Sequence, residues 1–145
     1  MRARKIGYWV TTALLALGFL AGGIFDIGQS PAVIVTLQHL GYPAYLAVLL
    51  GTWKVLGALA VTAPGLPRLK EWAYAGIMFD LTGALVSHAA VGDGADKLAA
   101  PLVLLAIAAA SWALRPDSRK LASTPRTAQT GAEPQRLKWA GAQAT

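Results

Sequence analysis

Four ionisable residues lie within, or at the edge of, segments that are otherwise apolar enough to cross a membrane. They are Asp26, Lys54, Asp80 and His88. An ionised side chain in the hydrocarbon core costs at least ~2.5–3.5 kcal/mol, even on the insertion scales that give the lowest values. Such residues persist where they face a protein interior, an opposite charge or water. The sequence therefore predicts a helical membrane protein with a polar interior, and these four residues are its candidates for binding a ligand or relaying protons.

The composition agrees with a membrane protein. The 145 residues are 55% hydrophobic and 14% charged, whereas soluble domains average about 25% charged residues. The net charge is +6, but the basic residues flank the apolar segments and form no single stripe, so we expect no nucleic-acid partner. The absence of cysteine excludes disulfides and thiol chemistry in this chain. Its two histidines lack the spacing of a metal or haem site.

Four segments approach the roughly 20 apolar residues that a helix needs to cross the hydrocarbon core. They cover residues 7–27, 44–63, 72–91 and 98–114. The first segment also resembles a signal peptide, but its apolar run is longer than the usual ~7–15 residues, and three more spans follow it. We therefore predict an all-α, integral membrane four-helix bundle that occupies residues 1–115.

Lysine and arginine residues predict the orientation of this bundle. Eleven of them lie at the N-terminus, between the second and third spans, or after the fourth span. Lys97 alone lies in the loops on the opposite side. The positive-inside rule then places both termini in the cytosol. We expect a multi-pass protein of the cell membrane whose immediate partner is the lipid bilayer.

Two segments lie outside the predicted spans. Ser30-Pro31 has the pattern of a helix start and Gly41 that of a helix end, so we favour a short outer helix between them. The β-branched residues at 33–36 also permit a strand. Residues 116–145 are rich in Ala, Ser, Thr, Gln and Pro and have no hydrophobic period, which predicts a disordered, basic cytosolic tail.

The predicted depths of Lys54 and Asp80 nearly coincide. At 1.5 Å per residue, Lys54 lies about 15 Å from the outer side and Asp80 about 12 Å from the inner side of a core ~30 Å thick. Because their helices are consecutive and antiparallel, we predict an ion pair between them, which either fixes register or serves function. Small and polar residues also follow helical spacing on both spans, which predicts a shared interior face with close packing. They are Gly51, Lys54, Gly57 and Ala58 on the second span, and Gly76, Asp80, Gly83, Ala84, Ser87 and His88 on the third.

The outer ends of the first and third spans predict a polar mouth. Gly18 and Gly22 form a GxxxG motif that Asp26 continues on the same helix face, and we expect it to pack within the chain. Asp26 and His88 both approach the outer surface. A histidine there either carries protons, hydrogen-bonds a ligand such as a quinone, or is only a structural hydrogen-bonding residue. The outer loops add further polar residues, namely Gln29, Gln38, His39, Asp93 and Asp96.

The central motifs, taken in order, resemble the DoxX-like family of small four-helix membrane proteins. They are LGYP at 40–43, GTWKVLG at 51–57, PGLPRLKEWAYAG at 64–76, SH at 87–88 and GD at 92–93. The resemblance covers about residues 7–114. It implies an accessory membrane subunit with a quinone- or redox-linked role. Quinone would then be the cofactor, and other membrane subunits or a second copy of the chain the partners.

Two alternatives remain beside this interpretation. One is a small proton-coupled transporter, similar in size and span count to the dimeric small multidrug exporters. Those proteins place their coupling carboxylate in the middle of the first span, whereas Asp26 lies at the end of its span and Lys54 would neutralise Asp80. The other alternative is an enzyme with its site at the outer mouth, and no nucleophile–base arrangement in the sequence supports it.

Overall fold

The computed structural model describes residues 2–120. These residues form five α-helices and one 3-10 turn, with no strand among them. The all-α prediction is therefore confirmed for this part of the chain. Most of the predicted tail, residues 121–145, lies outside the described residues. The helices are α1 (Arg2–Ile27), α2 (Pro31–His39), α3 (Tyr45–Thr62), α4 (Pro67–Ala90) and α5 (Ala95–Ala113), followed by the turn Asp117–Arg119.

The short outer segment is helical, and local sequence explains why. Pro31 occupies the first turn of α2, where a missing backbone N–H costs no hydrogen bond. Gly41 follows the helix with φ of +79°, a left-handed conformation that a residue without Cβ adopts easily. The helix, and not the strand, is therefore the correct interpretation of this segment. The part of the bundle formed by residues 2–120 consequently has five helices, four of them long.

Three of the long helices, α1, α3 and α5, are long and apolar enough to cross a membrane. The described part of α4 does not meet the same test, although it has 24 residues. Its sequence includes the charged side chains of Glu71 and Asp80 and the polar His88. The helices indicate a multi-pass membrane protein, and a count of four spans stays a proposal.

The four long helices pack in a ring. Helix α1 contacts α3 and α5, and α4 contacts α5 and α3, while α2 lies against α3. The shared core consists of apolar side chains from all four long helices. Its buried members are Leu15, Ala16, Phe19, Ala58, Val61, Tyr74, Ile77, Leu81 and Ala108.

Helices α1 and α3 approach most closely at a pair of glycines. A Cβ atom built on Gly51 would lie 2.7 Å from the carbonyl oxygen of Gly23 and 2.8 Å from the Cβ of Asp26. The contact therefore uses Gly23 and not the GxxxG pair. Gly18 faces Leu104 of α5, at 3.2 Å from its Cδ2. Only a glycine at position 51 permits this backbone separation.

A buried lysine joins α3 to α4. It lies at the end of the bundle where α1 begins and α5 ends. Lys70 is fully buried, and its Nζ donates to the carbonyl oxygens of Ala60 and Val61 at 3.0 and 3.3 Å. It also donates to the carbonyl oxygen of Ala63. The last carbonyls of a helix lack partners within the helix and attract a cation. Lys70 thus caps α3 from the first turn of α4.

Two further polar contacts join α4 to α5 at the same end. Arg115 donates to Glu71 at 2.8 Å, with only 3% of the arginine side chain exposed. The buried hydroxyl of Ser111 lies 2.7 Å from those of Thr12 and Tyr74, so α1, α4 and α5 share one hydroxyl cluster. Buried polar groups are stabilising when they are satisfied in this way. This end of the bundle is therefore closed by polar contacts as well as by packing.

Candidate functional site

Helices α3 and α4 leave a groove between them. It consists of an inner cavity of about 510 Å³ and an outer cavity of about 490 Å³. Each volume falls within the ~300–1,000 Å³ that is usual for small-molecule sites. The inner cavity lies toward the end of the bundle where α1 begins and α5 ends. Both cavities are lined by Leu50, Lys54, Phe79 and Asp80, so these four residues mark the junction of the groove.

The inner cavity is apolar and aromatic. Trp53 of α3 and Trp72 and Phe79 of α4 line it. Their exposed fractions are 64%, 79% and 78%, so the rings stand at the rim and not within the packed core. The groove thus opens sideways, on the face that would meet lipid in a membrane. A lipid-soluble molecule can enter it without passing through water.

The outer cavity is more polar. It is lined by Asp26, Thr36, Tyr42, Ser87 and His88 as well as by apolar side chains. Helix α2 covers part of it, since Leu37, the buried residue of that helix, is one of the lining residues. The groove is therefore more polar in its outer cavity than in its inner one. This is the arrangement that an amphiphilic molecule requires.

The structure corrects the predicted partner of Lys54. Its Nζ donates to Asp26 Oδ2 at 2.7 Å, so the predicted ion pair between Lys54 and Asp80 is wrong. The reason is the glycine contact between α1 and α3, which places Asp26 directly over Gly51. A helical side chain leans toward the N-terminus of its own helix, and for Lys54 that direction leads back to Gly51 and Asp26. Depth alone did not reveal which neighbouring helix lies closest.

The correction leaves the carboxylate of Asp80 without an ion-pair or hydrogen-bond partner among residues 2–120. Asp80 lines both cavities at their junction, and Lys54 lines them beside it. The groove therefore contains one neutralised pair and one further acidic group. A ligand at the junction would meet the ammonium group of Lys54 and the carboxyl group of Asp80.

The small residues of α4 form a wall of the groove and not a helix contact. A Cβ built on Gly76 or on Gly83 would have no atom within 4 Å. The predicted close packing of this face against α3 is therefore wrong. The buried face of α4 carries Tyr74, Ile77 and Leu81, which are larger and apolar. These larger side chains make more van der Waals contacts with the other helices than glycines can, so they decide how α4 is turned.

Two histidines and an aspartate connect the outer ends of the helices. His88 Nδ1 donates to Asp93 Oδ2 at 2.6 Å, and His39 Nε2 donates to Asp93 Oδ1 at 2.8 Å. The hydroxyls of Tyr42 and Ser87 lie 2.9 Å apart. We call the His39, Asp93 and His88 side chains the outer clasp. It joins the end of α2 to the end of α4, above the outer cavity.

The Asp93 carboxylate should stabilise the outer clasp except in strong acid. Its hydrogen bonds, first from His88 and then from His39, hold the pKa of Asp93 below its usual range. A lowered pKa in the folded state stabilises the fold above the unfolded pKa of about 3.9. This contribution is lost as the pH falls through the lower, folded value.

We therefore expect Asp93→Asn to lower the melting temperature at about pH 5 and above, with the difference shrinking below about pH 4. Melting curves of both proteins in detergent, recorded from pH 3 to pH 8, would test this. Asp96→Asn is the matched control, because Asp96 is exposed and its nearest cation, Lys97, lies 3.9 Å away. A stability difference that grows as the pH falls below about 4 would contradict the outer clasp.

The four candidate residues of the sequence thus lie around one groove. Asp26, Lys54, Asp80 and His88 all line the outer cavity, and Lys54 and Asp80 also line the inner one. Sequence reasoning missed the wall of aromatic residues beside them. Trp53 and Trp72 stand out in the sequence only as members of the family motifs. Among residues 2–120, no three His, Asp or Glu side chains converge in a metal-binding arrangement.

Comparisons with known proteins give one relative and one family match. The uncharacterized protein YdgD of Bacillus subtilis (strain 168) is 33% identical over 76 residues, which cover 51% of this chain and 66% of the relative. The chain thus matches slightly less than two thirds of that protein's length. No solved structure matches the chain. Residues 10–111 match the profile of the DoxX-like family. That match spans more than half of the chain and includes α3, α4 and the groove between them, and the chain therefore belongs to the DoxX-like family.

Proposed function

We propose that this protein is an accessory membrane subunit that binds a lipid-soluble ligand of the quinone class in the groove between α3 and α4. One observation carries the proposal: two adjoining cavities that share four lining residues, of which the inner is apolar and opens sideways and the outer is more polar. An isoprenoid quinone has the same division, since its ring carries polar carbonyls and its tail is a hydrocarbon. The quinone class itself is the expectation that the family resemblance adds.

The groove suggests how such a ligand would lie. The ring would occupy the junction, where the Lys54 ammonium is able to donate a hydrogen bond to a ring carbonyl and Asp80 is the neighbouring acidic group. The tail would follow the inner cavity past Trp53 and Trp72. Apolar walls with a few placed polar groups are typical of small-molecule sites.

Tryptophan fluorescence tests the proposal directly. Quinones quench tryptophan emission, and two of the five tryptophans, Trp53 and Trp72, line the inner cavity. We expect a short-chain ubiquinone to cause saturable quenching of the purified protein in detergent. The double variant Trp53→Phe/Trp72→Phe should lose the saturable part and keep only the linear quenching of free quinone in the micelle.

A variant that fills the inner cavity with a larger side chain tests whether the quinone binds there. Gly76→Leu places a side chain into the inner cavity, since Gly76 lines it and a Cβ atom there would have no atom within 4 Å. It should abolish saturable quenching without lowering the melting temperature. Ala75→Leu is the matched control, because Ala75 is exposed and does not line either cavity. Equal quenching in both leucine variants would exclude the groove as the quinone site.

We also propose four spans in the cell membrane with both termini in the cytosol, on the basis of the eleven inner lysines and arginines. A reporter enzyme that is active only outside the cytosol should stay inactive when fused after Leu114. The same reporter should be active when inserted at Gly94. Activity at both positions would mean that one long helix does not span the membrane.

Proton-coupled transport is a second candidate function, and the position of Asp80 favours it. Lys54 was expected to neutralise this carboxylate, but it pairs with Asp26. Asp80 is therefore available to bind a proton where the two cavities meet. Proteoliposomes with an imposed pH gradient should then accumulate a substrate, and Asp80→Asn should abolish the accumulation. Uptake that is identical in Asp80→Asn would exclude this candidate.

A further inference from the structure

We infer that the groove between α3 and α4 binds lipophilic cations in preference to anions of the same shape. The inference rests on the groove of the proposed function, but it concerns a different guest. A cation and a quinone would share the aromatic half of the groove and would exclude one another.

The charges around the junction give the first argument. Asp26 of α1 and Lys54 of α3 form one ion pair at 2.7 Å and contribute no net charge. Asp80 of α4 adds one carboxylate that no cation of residues 2–120 contacts within 4 Å. His88 faces the outer cavity, but it donates a hydrogen bond to Asp93, so a charge on it would be matched there. With Asp80 ionised, the net charge presented to a guest is negative.

The aromatic side chains give the second, independent argument. Trp53, Trp72 and Phe79 line the inner cavity together with Asp80. The faces of aromatic rings carry partial negative charge and attract cations, with tryptophan the strongest. The exposed fractions of the three rings range from 64% to 79%, so their faces are not already occupied by packing against the core.

Together these features define the chemistry of the guest. A hydrophobic body suits the apolar wall of the inner cavity, and a delocalised positive charge suits both the rings and the carboxylate. A hydrophobic anion of equal size would gain the same apolar contacts. It would also meet the partial negative charge of the rings and the charge of Asp80, so the sign of the charge alone should decide the affinity.

Tetraphenylphosphonium and tetraphenylborate make the test sharp, because they have nearly the same shape and opposite charges. Isothermal titration of each ion into the purified full-length protein in a nonionic detergent would give both dissociation constants. We expect the cation to bind about tenfold more tightly than the anion, a ratio that one favourable cation–π or carboxylate contact produces. Equal affinities, or tighter binding of the anion, would overturn the inference.

Three variants test which residues cause the preference for the cation over the anion. Asp80→Asn keeps the shape of the side chain and should bring the two affinities to within about twofold. Asp96→Asn removes an exposed carboxylate that does not line the groove and should leave the preference unchanged. Trp53→Leu should lower the affinity for the cation more than the affinity for the anion. An unchanged preference in Asp80→Asn, in protein with an unaltered melting temperature, would contradict the assigned site.

Competition separates this inference from the proposed function. If both hold, tetraphenylphosphonium reverses the saturable quenching by short-chain ubiquinone. If the quinone does not bind but the cation does, the proposed function fails and the inference stands. If the quinone binds and the two ions do not differ, the inference fails and the proposed function stands.

Discussion

Gly51→Val should prevent the bundle from assembling correctly. The first atom of the new side chain would lie 2.7 Å from the carbonyl oxygen of Gly23 and 2.8 Å from the backbone nitrogen of Ile27. Backbone atoms cannot rotate away as the end of a side chain can, so α1 and α3 would have to separate. Overpacking of a core costs about 1–3 kcal/mol and sometimes more. Here the separation would also stretch the hydrogen bond between Lys54 and Asp26.

The measurement is the yield of monodisperse protein in detergent, followed by its melting temperature. Even Gly51→Ala should lower the melting temperature, because the clash involves Cβ itself. Gly83→Ala is the matched control, since it also replaces a helical glycine but meets no atom within 4 Å. It should leave the melting temperature unchanged or raise it slightly, because alanine favours helix over glycine. Equal losses in both alanine variants would mean that the contact with Gly23 does not explain the effect, since Gly83 has no such contact.

Breaking the ion pair of Lys54 and Asp26 should give the second large loss of stability. Removing one partner of a fully buried pair costs ~3–5 kcal/mol. The Lys54 side chain is 24% exposed and that of Asp26 is 11% exposed, so we expect a loss toward the lower end of that range or below it. Lys54→Met and Asp26→Leu should each lower the melting temperature in detergent.

A double-mutant cycle identifies the partner. Lys54→Met combined with Asp26→Leu should be more stable than the sum of the two single losses predicts, because no lone charge remains. Lys54→Met combined with Asp80→Leu should show a smaller coupling. A larger coupling of Lys54 with Asp80 than with Asp26 would instead support the ion pair that was predicted from depth alone.

The sequence predicted the helices of this protein well because their signals are local. Apolar runs, Pro31 and Gly41 define where the chain is helical, and they require no knowledge of neighbouring helices. The helix at residues 31–39 could therefore be predicted from the sequence despite its β-branched residues.

The partners of the polar residues were harder to predict, because they depend on which helices touch. Lys54 has carboxylates on two neighbouring helices, and the choice between them follows from the contact between Gly23 and Gly51. The positions of these two glycines in the sequence give no sign that they contact each other. Lys70 was read only as an inner-loop charge, and its partners are backbone carbonyls that have no sequence signature.

The sideways opening of the groove determines what a guest must compete with. A pocket that faces water is emptied of water when a ligand binds, and the hydrophobic effect favours that exchange. In a bilayer, the aromatic rim formed by Trp53, Trp72 and Phe79 would instead be covered by acyl chains, which are as apolar as the guest. Apolar contact would then contribute little to selectivity. The affinity for any guest would be set by what an acyl chain cannot offer to Lys54 and Asp80, and it would change with the lipid composition of the membrane.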